Sequence, residues 1–187
     1  NITIYNQKAI WRHDKLQSLS FNSNYIDMPS FKVDLPSLLY LDLNNNHITL
    51  TTAFSASTTP NLLYLYLNGN KLLNFPDESL KYNLVYLGVR QCNVNSVPQY
   101  LSEFKKLKYF DARDNNISMI DIDLKRLIEA NNVESYFSGN TALCNTDSSL
   151  DCVPLCSKQC WSRKVANDGY CDIECNSEEC EFDGGDC

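Results

Sequence analysis

The chain has 187 residues, with 16 Lys and Arg against 23 Asp and Glu for a net charge of −7, nine cysteines and 43% apolar residues. Binding phosphate requires a basic patch, so no nucleic-acid partner is expected. No run of about 18 apolar residues is present to span a membrane. The charge is uneven: residues 156–187 hold eight acidic and three basic residues, net −5, leaving 15 acidic and 13 basic, net −2, in residues 1–155.

The chain opens on the sequon Asn1-Ile2-Thr3 and carries a second at Asn116-Ile117-Ser118, so Asn1 and Asn116 are expected glycosylation acceptors. It has neither an initial methionine nor a charged-then-apolar leader, and it stops on a cysteine; a trimmed piece of a larger parent is expected. From Leu16 the pattern L-x-x-L-x-L-x-x-N-x-L recurs, with starts at Leu16, Leu38, Leu62, Leu84 and Leu107 and spacings of 22, 24, 22 and 23 residues. The second copy supplies Leu41, Leu43, Asn46 and Ile48, and the third Leu65, Leu67, Asn70 and Leu72. In the fourth, Cys92 stands where asparagine is expected; a buried thiol fits there without a disulfide partner, a reactive thiol being the alternative. A sixth start at Val133, with Tyr136 and Asn140, is one residue short of register and reads as a closing turn.

This periodicity resembles the leucine-rich repeat, whose period is about 20 to 29 residues. The resemblance implies an α/β solenoid with a parallel β-sheet on its concave face, leucines pointing into a shared core and asparagines bonding the backbone at each turn. One such repeat cannot bury its own apolar face, so the stack is the folding unit. The solvent-facing positions then form columns: Ser18, Tyr40, Tyr64, Tyr86, Tyr109; Ser20, Asp42, Tyr66, Gly88, Asp111; and Asn22, Asn44, Asn68, Arg90, Arg113. Tyrosine combines a rigid apolar face with a polar tip. Tyr40, Tyr64, Tyr66, Tyr86 and Tyr109, with Arg90 and Arg113 making the later repeats cationic, are the candidate ligand-binding residues; cross-strand stacking that merely stabilises the sheet is the competing account.

Catalysis finds little support, and no enzyme is expected. His13 and His47 lie in unrelated places and read as surface residues, Asp121 and Asp123 as a solvated turn. No nucleophile, base and orienting partner assemble.

Beyond the repeats lie Cys144 and Cys152, the two cysteines left when Cys92 and the six after residue 155 are set aside; they are expected to pair and seal the open end of the stack. Residues 156–187 then read CSKQCWSRKVANDGYCDIECNSEECEFDGGDC. A segment this short needs crosslinks or a metal to fold. Asp168, Asp183 and Asp186 are hard oxygen donors suited to Ca²⁺; zinc is disfavoured because no histidine is present and the cysteines form an even set. Gly184-Gly185 allows positive φ between two aspartates that can share one ion. Spacing alone leaves 15 disulfide connectivities for six cysteines.

The cysteine spacing, with Asn167-Asp168-Gly169, Cys171-Asp172, Cys175-Asn176 and Asp183-Gly184-Gly185-Asp186-Cys187, resembles the Notch-type repeat, or LNR. That resemblance implies the pairs Cys156 to Cys180, Cys160 to Cys175 and Cys171 to Cys187. It also implies Ca²⁺ held by Asp168, Asp183 and Asp186 with the carbonyl of Val165, a departure from the acidic residue sometimes found there. The expected organisation is residues 1–155 as a leucine-rich-repeat domain with a disulfide cap, and 156–187 as a calcium-binding LNR module. Disulfides and sequons place the chain outside the cell or on its surface. Its expected role is recognition of a protein, peptide or glycan on the concave face; the alternative is a structural building block that self-assembles into a sheath, wall or filament.

Overall fold

The computed structural model describes residues 10–27, 32–152, 157, 160 and 169–187. The chain divides into two compact units, Asn1–Cys152 and Val153–Cys187. In the first, six short strands form one open parallel sheet: β2 (Ser18–Ser20), β4 (Tyr40–Asp42), β5 (Tyr64–Tyr66), β6 (Tyr86–Gly88), β7 (Tyr109–Asp111) and β8 (Glu134–Tyr136), in that spatial order. Strands β1 (Ile10–Arg12) and β3 (Lys32–Asp34) pair separately, also in parallel. The register places Leu41, Leu65, Leu87 and Phe110 side by side at the strand centres. All four are buried, since alternate residues of a strand share one face. They join Leu38, Leu62, Leu84, Leu107 and the side chains of the return connections in one core.

The asparagines at the turns bind neighbouring copies together. Asn70 Nδ2 donates to Leu43 O (3.0 Å) and Leu67 O (2.7 Å), while its Oδ1 accepts from Ile48 N at 2.9 Å. Asn46, Asn115 and Asn140 repeat this double role. Cys92 performs only half of it. Its thiol donates to Leu67 O at 3.1 Å and Arg90 O at 3.3 Å, but sulfur is a poor acceptor. The amide of Leu72, which an asparagine side chain would serve, donates instead to the backbone carbonyl of Cys92 at 3.0 Å. Asn93, at φ 59°, takes up the altered backbone, a conformation asparagine tolerates better than most residues. Burial pushes the Cys92 thiol up to about 12, so it stays protonated and unreactive in the folded chain.

Two further regularities escaped the sequence pattern. The residue before each turn asparagine or Cys92 is left-handed: Ser23, Asn45, Gly69, Gln91, Asp114 and Gly139 have φ between 53° and 80°. Glycine is required at 139, where a Cβ would lie 2.9 Å from the Asp114 Cα. Gln91 carries the ordinary penalty of a side chain at positive φ, so Gln91→Gly is expected to stabilise the chain by about 0.5 to 1 kcal/mol, after allowing for the greater freedom of glycine in the unfolded chain. A rise in urea midpoint at constant slope is the check. The second regularity lies at the strand entries: Ser37 Oγ donates to Asp14 O, Asn61 to Pro36 O, Asn83 to Pro60 O and Asn131 to Lys105 O, at 2.6 to 2.9 Å.

The final copy corrects the sequence register. Tyr109 pairs with Glu134 and Phe110 with Ser135, which sets the repeat to begin at 132 and brings Asn140 into step with Asn115. The one-residue deficit arose from taking buried Val133 as the start; residue 132 is Asn132, the left-handed cap of helix α1 (Ile122–Asn131). Asp121, read as a solvated turn with Asp123, is the N-cap of α1, its carboxylate accepting from Asp123 N at 2.8 Å. Beyond β8, helix α2 (Thr141–Thr146) buries Leu143, and a disulfide joins Cys144 to Cys152. Leu150 and both cysteines pack on the core, and Phe137 N donates to Asp151 O, so the last strand does not end the sheet bare.

Candidate functional site

Parallel pairing aligns Tyr40, Tyr64, Tyr86 and Tyr109, one per strand. The rings do not stack as that column. Tyr66, from the neighbouring column, lies 5.1 Å from Tyr40 and 4.3 Å from Tyr86, the latter nearly parallel at 26°. Tyr64 reaches Tyr40 at 6.4 Å and Tyr109 reaches Tyr86 at 6.1 Å. Gly88 lies opposite Tyr66, and a Cβ there would sit 2.9 Å from Asn68 Oδ1 and 3.1 Å from the Tyr86 ring, so the space is shared by the Asn68 side chain and the ring. Tyr66 and Tyr86 turn a face to each other, while the other ring contacts are tilted at 34° to 44°. Tyr64, at 37% exposed, is the most open. Burial, reinforced by Tyr40, raises the Tyr66 hydroxyl to about 12, and burial with Asp111 raises Tyr86 further still. These phenols remain neutral donors at any physiological pH.

The polar column departs from its sequence reading. Asn44 Oδ1 accepts from Asn68 N and Asn68 Oδ1 from Arg90 N, each at 2.8 Å, forming a second asparagine ladder. The expected cationic end is neutralised. Arg113 is buried and bidentate on Asp111, Nε to Oδ1 at 2.9 Å and NH2 to Oδ2 at 2.7 Å, with its guanidinium 5.6 Å from the Tyr136 ring centre. Arg90 pairs with Asp114 at 2.9 Å. Burying a guanidinium is costly without such a partner, and Asp111 sits two residues away on the same strand face; this proximity was visible in the sequence but its consequence was not.

In the second unit, disulfides join Cys160 to Cys175 and Cys171 to Cys187. Cys180 is also disulfide-bonded; Cys156 lies outside the described residues. Of the expected calcium ligands, Val165 and Asp168 lie outside them as well. Asp183 is fully buried: Oδ2 accepts from Asp172 N at 2.7 Å, and Oδ1 finds no hydrogen-bond partner among the described residues. Asp186 Oδ2 accepts from Gly169 N at 2.9 Å. Glu181, Phe182 and Asp183 are all left-handed, φ 52° to 60°, and this backbone turns the Asp183 side chain inward. A buried carboxylate with one unserved oxygen costs several kcal/mol unless a cation faces it, so the residues present fit a hard cation. No cluster of three or more metal-ligating side chains occurs among the described residues alone.

Asn1 lies outside the described residues. Asn116 and Ser118 of the second sequon are exposed around buried Ile117, with Asn116 Nδ2 3.3 Å from Asn95 Oδ1. Among the described residues no helix is long and apolar enough to cross a membrane.

Two comparisons bear on these units. Residues 152–187 match the LNR domain of the Notch family. Over 102 residues, 54% of this chain, the sequence is 34% identical to receptor like protein 22 of Arabidopsis thaliana. The chain spans about a tenth of the length of that curated relative, 10% of which is matched.

Proposed function

We propose that the first unit is a leucine-rich-repeat solenoid acting as the recognition module of an extracellular or cell-surface receptor-type protein, with a calcium-stabilised LNR module at its end. The tyrosine row carries this reading. The LNR match, the disulfides and the receptor-like name of the relative support it. Because Tyr66 and Tyr86 stack on each other and Tyr40 and Tyr109 lie tilted against them, the row offers ring edges and hydroxyl donors, which suit the carbonyls of a protein or extended peptide better than the faces of sugar rings. The reading is non-catalytic: His13 is exposed, and His47 is exposed and stacked on Tyr25 at 5.5 Å. We place calcium on Asp183 and Asp186 with Asp168 and the Val165 carbonyl, and N-glycans on Asn116 and Asn1.

The test is selection of binders from a displayed random-peptide library on the immobilised chain. Tyr64→Phe with Tyr66→Phe removes two hydroxyls while preserving the ring ladder. Selected peptides are expected to weaken about thirtyfold, from two hydrogen bonds worth about 1 kcal/mol apiece; undiminished binding would sink the assignment. A structural building block is the second reading, favoured by the charge separation considered next.

A further inference from the structure

The two units carry complementary surfaces that neither the tyrosine row nor the metal centre uses. In the second unit, Ile173 is 81% and Phe182 53% exposed. Their segments are tied together, because Asp172 N donates to Asp183 Oδ2. Glu174, Glu178, Glu179 and Glu181 are exposed around them, in a segment of net charge −5. Large side chains left in water on so small a unit mark an interaction surface.

In the first unit, three lysines lie on the flank where strands begin. Lys106 Nζ donates to Asn83 Oδ1 (2.9 Å), Lys105 Nζ to Ser102 O (2.9 Å) and Lys108 Nζ to Asn131 O (3.0 Å). All three acceptors are neutral, and none of the three lysines forms an ion pair among the described residues, although Glu103, bridged to Lys81, lies near enough to feel Lys105. Asn131 Nδ2 also donates to Lys105 O, so the patch is continuous. Beside Asn83, Tyr82 is 66% exposed. Here is a local cationic surface with an aromatic ring, on a chain of net charge −7.

We propose that the chain associates head to tail, the acidic Ile173/Phe182 surface of one copy docking on the Lys105/Lys106/Lys108 flank of a second copy. Two different patches in contact make a heterologous interface, which propagates as an open chain unless its rotation closes a ring. A unit of net −5, which one bound Ca²⁺ brings to −3, meeting lysines that form no ion pair among the described residues supplies the attraction, and the exposed apolar side chains supply area that salt does not screen.

The experiment is light scattering on the full, disulfide-bonded chain at constant millimolar calcium, across protein concentration, in about 0.05 M and about 0.5 M NaCl, where the Debye length falls severalfold. Mass above monomer at low salt, reduced at high salt, is expected. The triple variant Lys105→Glu/Lys106→Glu/Lys108→Glu and the double variant Ile173→Ser/Phe182→Ser should each be monomeric, with circular dichroism confirming their folds. Mixed, they should form a species of twice the monomer mass that grows no further, because each supplies the surface the other lacks. A monomeric parent chain at every concentration overturns the proposal, as does association that either variant leaves intact or a mixture that stays monomeric.

Discussion

Replacing Asn70 with alanine is expected to cost the first unit about 2 to 3 kcal/mol, at least twice the cost of the equivalent change at Cys92. The difference follows from what each side chain leaves behind. Asn70 is 2% exposed, and its removal strands the Ile48 amide where water cannot reach, while the Leu43 carbonyl keeps only Asn46 Nδ2 at 3.0 Å and the Leu67 carbonyl only the weak Cys92 thiol at 3.1 Å. Each buried group left unserved costs about 1 to 3 kcal/mol. Cys92→Ala removes two weak thiol bonds and a sulfur's worth of packing, while the Leu72 amide keeps its backbone acceptor; about 1 kcal/mol is expected. Urea unfolding of both variants at matched slope makes the comparison. Equal losses would mean that the turn asparagines do not bind the copies together as their geometry implies.

The second large effect concerns the proposed calcium. Asp183→Ala is expected to abolish calcium binding in the millimolar range, since it removes the buried carboxylate with the unserved oxygen and one of few anionic donors. Extracellular calcium modules bind at about 10⁻⁴ to 10⁻³ M, and ligand charge is what tunes them. Asp183→Asn distinguishes charge from structure: its amide oxygen can still accept from Asp172 N, so the fold should survive while affinity falls. Calorimetric titration reads the affinity, and the melting of the second unit with and without chelator reads the stability that binding contributes. Full affinity in Asp183→Ala would remove Asp183 from the ligand set.

How far the sequence reaches depends on whether the deciding contact lies within the repeated pattern. Strand centres at Leu41, Leu65, Leu87 and Phe110, and the roles of Asn46, Asn70 and Asn115, were legible because one repeat defines them for all. Asp121 was misread because a helix start was taken for a turn; its signal was present in an aspartate placed two residues before the amide it caps. The closing repeat was misread because a helix cap, Asn132, occupies the place where leucine marks the other starts.

The sequence by itself determined the period, the parallel alignment of one tyrosine per strand, and the acidic oxygen donors beside the terminal cysteines, since these follow from spacing and residue chemistry. Only the tertiary structure decided that Tyr66 crosses columns over Gly88, that Asp111 and Asp114 neutralise Arg113 and Arg90, and that the Cys92 carbonyl serves the Leu72 amide. A column records which residues neighbour one another along a sheet; side-chain direction, burial and the competition for hydrogen-bond partners are settled when neighbouring strands come within reach.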